Sequence, residues 1–217
     1  MFVGHYGVSF AAKSVDRRVP LWTLFIAVQA VDILWGVFVL LGVEKVRIRP
    51  GLTAASPLDL YYMPYTHSLV AALGWSVLGF VVYRLVRGRG SAGGALLVAG
   101  ALLSHWVLDF IVHRADLPLY GNVHKVGLGL WKHAAPALTL EMLVLWAGLV
   151  LYLRSTAARQ PGLGQYGMAS YGIIMALVQV VGVWGPAPTS PRAEALTALF
   201  FYFGFAGIAA WLETRRA

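Results

Sequence analysis

Six stretches of this chain are apolar enough, and long enough, to cross a lipid bilayer, and that limits the fold more than any motif does. They cover residues 20–43, 65–85, 94–112, 130–153, 168–184 and 193–212. A bilayer offers no water to peptide groups, so such runs must close their own hydrogen bonds as helices. Residues 1–13 are also apolar but too short to cross, so they lie on the surface or enter partway as a half-helix ending at Lys13. The expected fold is an all-α integral membrane protein of about six transmembrane helices plus a short N-terminal half-helix. Composition agrees, with 59% hydrophobic against 12% charged residues, too little polarity for a water-facing surface. The first span follows Arg17-Arg18 and is too long for a cleavable signal core, which makes it an uncleaved anchor.

The net charge of +8 raises nucleic acid as a partner. However, Lys and Arg sit mostly at the ends of apolar runs, where they anchor helices, and no basic patch is interleaved with aromatics. Nucleic-acid binding is excluded on that ground, and the expected partner is the bilayer itself. Six spans put both termini on one side. That side holds Lys13, Arg17, Arg18, Arg84, Arg87, Arg89, Arg154, Arg159, Arg215 and Arg216; the other holds Lys45, Arg47, Arg49, Arg114, Lys125, Lys132 and Arg192. Ten against seven favours cytoplasmic termini.

Ionisable residues inside these spans are costly in lipid and by default mark a site or a path. His105 and Asp109 are four apart on the third span, hence on one helical face, with His113 a further turn on. Helical rise puts Asp32 and His105 each about 21 Å from the cytoplasmic ends of their spans, and Asp109 about 27 Å. His67 enters from the opposite face at a similar height. Four side chains from three spans thus meet in one layer of the outer half. His5 falls short of Asp32 by about 9 Å if residues 1–13 are a half-helix rising from Lys13. Glu141 is placed nearer the inner half, as a site group or as the partner of a buried Tyr or Arg. His124 and His133 are read as surface and interface residues. The chain has no Cys, so a metal must be held by His, Asp or Glu, a donor set that suits a divalent ion such as zinc or manganese.

Organisation follows from where these groups lie. Residues 1–153 form a metal-site core, 154–166 a Gly- and Pro-containing linker, and 167–217 a C-terminal helical pair with almost no interior charge, a scaffold. The stretches 44–63 and 114–126 are water-exposed loops.

Gly4-His5-Tyr6-Gly7, Gln29 through Asp32, Thr66-His67-Ser68-Leu69 and Ser104-His105-Trp106 through Asp109 occur in that order. His113-Arg114-Ala115-Asp116-Leu117-Pro118-Leu119, Gly127-Leu128-Gly129-Leu130-Trp131 and Glu141 follow. Over residues 2–153 this combination resembles the YdjM-like group of bacterial membrane-bound metal-dependent hydrolases, itself distantly similar to zinc-dependent phospholipase C. The resemblance implies His5, Asp32, His67, His105 and Asp109 as metal ligands. The expected function is hydrolysis of an ester or phosphoester of a lipid or amphiphile, with the metal lowering the pKa of the attacking water. Asp32 or Asp109 serves as base, and His113 and Arg114 steady developing negative charge. The main rival is a transporter or ion or proton pathway using the same cluster; a non-catalytic scaffold with structural ion pairs is the other. A pathway needs polar residues toward both faces, and below Asp32 only Gln29 and Glu141 are available. Reporter fusions within residues 52–57 and at the C-terminal end are predicted to give opposite signals; equal signals would overturn the six-span count.

Overall fold

A computed structural model describes residues 1–216 as a multi-pass helical bundle. In chain order the elements are α1 (Val3–Val15), α2 (Leu21–Val28), α3 (Ala30–Leu40), β1 (Lys45–Ile48), β2 (Leu58–Tyr62), α4 (Leu69–Arg87), α5 (Ala92–Val112), β3 (Leu117–Tyr120), β4 (Val123–Val126), α6 (Ala134–Ser155), α7 (Leu163–Trp184) and α8 (Pro191–Glu213). Five of these helices, α4 to α8, are long and apolar enough to cross a membrane, and α2 with α3, bent by 53°, passes the same test as a pair, which gives six spans if the pair crosses as one. Their outward faces carry bare Val, Leu, Ile and Phe, among them Val77, Leu85, Val181 and Phe200, as a lipid-facing surface requires.

The first span is broken at Gln29, where neither Gly nor Pro intervenes. A side chain enters the backbone ladder instead: His105 Nδ1 lies 2.7 Å from the Val28 carbonyl, which an unbroken helix would give to Asp32 N–H. The bend therefore belongs to the site.

The N-terminal half-helix α1 is the centre of the bundle, walled by α2, α5 and α6. Glycine makes this possible. A Cβ on Gly7 would drive into the Val144 carbonyl of α6, and one on Gly148 into the Gly7 carbonyl, so the two backbones touch. Lys13 is buried rather than interfacial, paired with Glu213 and donating to the Arg17 and Val19 carbonyls (2.6 and 2.8 Å). The 9 Å shortfall expected for His5 assumed a straight first span; the 53° bend between α2 and α3 shortens its rise, and His5 reaches the site, its Nε2 3.2 Å from Asp109 Oδ1.

Both stretches expected as loops contain antiparallel hairpins, β1 with β2 and β3 with β4. They close one end of the bundle over a small apolar cluster of Trp35, Val46, Leu60, Met63 and Leu117. Residues 127–133 are also non-helical apart from a turn at Leu130–Lys132, so α6 begins at Ala134. Glu141 is then only about 10 Å from the hairpin end of its helix, not in the opposite half. The linker is shorter than 154–166, and its ends are tied by Arg216, which donates to the Thr156 and Gly164 carbonyls (2.9 and 2.7 Å).

The backbone contact of α1 with α6 yields a stability prediction. Gly7→Ala is expected to cost upward of about 3 kcal/mol, because the neighbour is a carbonyl that cannot rotate away. Gly74→Ala, with nothing within 4 Å of its new methyl, is expected to be neutral. Thermal unfolding in detergent checks the pair.

Candidate metal centre

The structure brings all five predicted ligands to one place, and His113 with them. Helix α5 presents His105 and Asp109 on its buried face, with His113 as its C-terminal cap. Asp32 stands in the first turn of α3, just past the break. His67 precedes α4, held by the Ser68 cap whose Oγ accepts from Ala71 N–H (3.1 Å). His5 comes from α1, its ring stacked on His105 at 3.8 Å.

Asp109 is the hub. His5 Nε2 is 3.2 Å from its Oδ1, and the Nε2 atoms of His105, His113 and His67 are 3.2, 3.5 and 3.8 Å from its Oδ2. Asp32 Oδ1 lies 3.1 Å from His67 Nε2 and 3.5 Å from His105 Nε2, while its Oδ2 accepts from the Tyr202 hydroxyl (2.8 Å). The Met1 amino nitrogen is 2.7 Å from Asp109 Oδ1.

Second partners fix which ring nitrogens carry hydrogen. His105 Nδ1 faces the Val28 carbonyl, which only accepts, so Nδ1 donates. Thr66 Oγ donates to Glu44 Oε2 (2.6 Å) and so accepts from His67 Nδ1 (2.7 Å). His113 Nδ1 donates to Asp116 Oδ1 (2.9 Å), a carboxylate further gripped by Arg114 Nε (3.1 Å). In their neutral form all three histidines therefore aim an Nε2 lone pair at Asp32 or Asp109. Burial opposes a charge on His113, yet Asp109 and Asp116 outweigh it and raise its pKa above the usual histidine value.

In that neutral form, lone pairs facing carboxylates call for positive charge between them, which a bound cation or protons on the Nε2 atoms would supply. His105 Nε2 is itself a buried atom with no hydrogen-bond partner. The donor separations, 3.1 to 3.8 Å, bracket the roughly 3.4 Å between ligands of a tetrahedral zinc with bonds of about 2.1 Å. Two groups, His5–His105–Asp109 and Asp32–His67–His105, each offer donor atoms within 4.8 Å of one another. An Nδ1–H donated to a carbonyl, hydroxyl or carboxylate is the usual backing of a metal-binding histidine. The residues fit a divalent cation.

Arg114 is placed differently from the expectation. Its guanidinium is committed to Asp59 and Asp116, so it acts on the cluster through Asp116 and His113. His124 is exposed near the start of β4 and His133 is exposed ahead of α6, as read from the sequence. Glu141 partners neither Tyr nor Arg: it accepts from the Phe2 and Gly4 N–H groups at the start of α1 (2.9 and 3.1 Å) and from Gln179 (3.0 Å). Sequence reasoning missed Tyr202, which lies 170 residues from Asp32 on a helix charged only near its ends, and Glu44, whose place at the head of the first polar loop concealed its burial. Trp131 was seen only in the motif; its ring covers His113 at 4.1 Å. No family model matches the chain, and neither a curated protein nor a solved structure matches it.

Purified protein is predicted to hold a first-row divalent metal, found by elemental analysis, and His105→Ala to lose most of it. Glu44→Gln, which removes an acceptor from the Thr66–His67 chain, is predicted to weaken metal binding by about 10- to 100-fold. Full occupancy in both variants would refute the assignment.

Proposed function

We propose that the protein is a membrane-embedded, metal-dependent hydrolase acting on an ester or phosphoester of a lipid or amphiphile. The observation that carries this reading is the position of the cluster at the wall of a cavity of about 760 Å³, lined by Asp32, His67, Asp109, His113 and Trp131 on its polar side. In the other direction the bundle is filled. Tyr6 and Phe25 pack at 4.6 Å and Phe10 and Phe25 at 5.2 Å, with Leu24 and Val28 fully buried beside them. A site open on one side and stoppered by aromatic rings on the other favours chemistry over passage, because a conduit needs polar groups toward both faces. The motif resemblance to membrane-bound metal-dependent hydrolases supports the same reading, with zinc as the metal and the bacterial inner membrane as the location. On the charge bias, the hairpin end faces outward.

A bound divalent ion would supply Lewis acidity toward the scissile group and its attacking water. Asp109, engaged through both oxygens by four histidines, would hold the ion, and Asp32, oriented by Tyr202, would hold it beside Asp109. His113 is the residue best arranged to move a proton: its Nδ1–H is fixed by Asp116, its face is held by Trp131, and it borders the cavity. Arg114 is a positioning residue that keeps Asp116 in place.

Asp109→Asn is predicted to abolish metal-dependent product release from phospholipids and generic phosphoesters. His113→Gln is predicted to slow it by about 10²- to 10⁴-fold. Sealed proteoliposomes assayed in parallel are predicted to show no ion or proton flux. Flux that requires Asp109, without hydrolysis, would replace this reading with a transporter.

A further inference from the structure

Helices α7 and α8 are joined at one end and apart at the other. Away from the hairpins, the Tyr171 hydroxyl donates to the Phe205 carbonyl (2.8 Å), and Leu212 fills the space over Gly167. From there each helix follows a different neighbour. α7 stays with α6, through Leu149 and Trp146 against Gly172 and through Gln179 bonded to Glu141. α8 stays with α3, through Leu199 against Gly36 and Tyr202 bonded to Asp32. The gap this leaves is the apolar arm of the cavity whose inner wall is the His/Asp cluster.

That arm opens sideways. Ile174, Leu177 and Val181 line it and are 53%, 59% and 65% exposed, so its mouth lies on the surface that faces hydrocarbon. From Ile174 to the end of α7 at Trp184 is about 15 Å of helix. That is half of a hydrocarbon core of about 30 Å, the depth of one leaflet. The mouth therefore covers the acyl region of the hairpin-side leaflet and closes near the midplane, where Tyr171 meets Phe205. At about 760 Å³ the cavity suits one chain and its linkage, not a whole two-chain lipid.

We infer that the gap between α7 and α8 is a lateral port, in which a phospholipid of the hairpin-side leaflet lays one acyl chain and brings its ester or phosphoester linkage to the His/Asp cluster. A chain entering here leaves no membrane, and its other chain stays in the bilayer. The cut at the inner end rests on the hydrolase reading; the seating of the chain does not.

The full-length protein in nanodiscs of phosphatidylethanolamine and phosphatidylglycerol, doped with a phosphatidylcholine bearing a diazirine on one acyl chain, tests this by photolabelling and mass spectrometry. Val178 and Phe201, which line the arm and are only partly exposed, should be labelled, as should Val77 on the outer face of α4. Gly182→Trp places an indole where nothing lies within 4 Å, and should cut labelling of Val178 and Phe201 at least fivefold while leaving Val77 unchanged. Thr197→Trp, from the opposite wall, should do the same, and an unaltered thermal unfolding midpoint in detergent confirms that each variant is folded. Labelling of Val77 without Val178 or Phe201, or labelling indifferent to both plugs, would each overturn the port. Both plugs should also slow hydrolysis of a long-chain phospholipid at least tenfold and spare a short-chain soluble ester. A wild type that is labelled as expected but hydrolyses neither substrate removes the hydrolase and keeps the port.

Discussion

Two carboxylates, the buried Asp109 and the partly buried Asp32, impose the main constraint on this structure. Each ionised group removed from water costs several kcal/mol unless its oxygens are met by donors or cations. Asp109 is fixed on α5, and the bundle is arranged to bring it partners. The half-helix α1 stands in the middle and carries His5 to it. The first span breaks so that its Val28 carbonyl can hold His105, and the same break sets Asp32 at the start of α3. The backbone contact of Gly7 with α6 lets Glu141 receive the free N–H groups at the head of α1. Without that acceptor, a helix would begin in the protein interior with unsatisfied donors.

The hairpins serve the same carboxylates at one remove. Asp59 on β2 and Asp116 before β3 hold Arg114 between them, and Asp116 holds His113. Glu44, at the foot of β1, accepts from Tyr65 N–H, Thr66 N–H and the Thr66 hydroxyl, and through Thr66 it orients His67. Gly127 lets the irregular stretch after β4 lie on the Arg114 carbonyl, where a side chain would collide. What looks like surface loop is thus the support that sets ring tautomers.

How far the sequence revealed this depended on the range of each interaction. Apolar length disclosed the spans, since bilayer thickness acts on every one of them alike. The His105–Asp109 spacing and the shared depth of Asp32 and His67 disclosed the layer in which the site lies, because helical rise converts numbering into height. The break at Gln29 left no trace: it is caused by a histidine 77 residues away, not by a local helix breaker. Strands of four or five residues were hidden within polar stretches too short to show alternation. Lys13 misled because a cation at the end of an apolar run usually marks the interface, whereas here Glu213, 200 positions on, receives it inside the protein.

The C-terminal pair, expected as scaffold, illustrates how a helix without interior charge still shapes a site. Tyr202 supplies one hydrogen bond to Asp32, and that bond also holds α8 against α3. Gln179 supplies one to Glu141, and it holds α7 against α6. These two polar contacts pull neighbouring helices toward different partners, while Tyr171 and Phe205 keep them together at the far end. A wedge-shaped gap beside the cluster is the geometric consequence. Hydrophobic burial between α7 and α8 would close that gap in water; in a bilayer the driving force is absent, because lipid chains solvate Ile174, Leu177 and Val181 as well as another helix would. An open cleft next to buried charge is therefore a state that the membrane sustains, and the same residues in an aqueous protein would be expected to collapse onto each other.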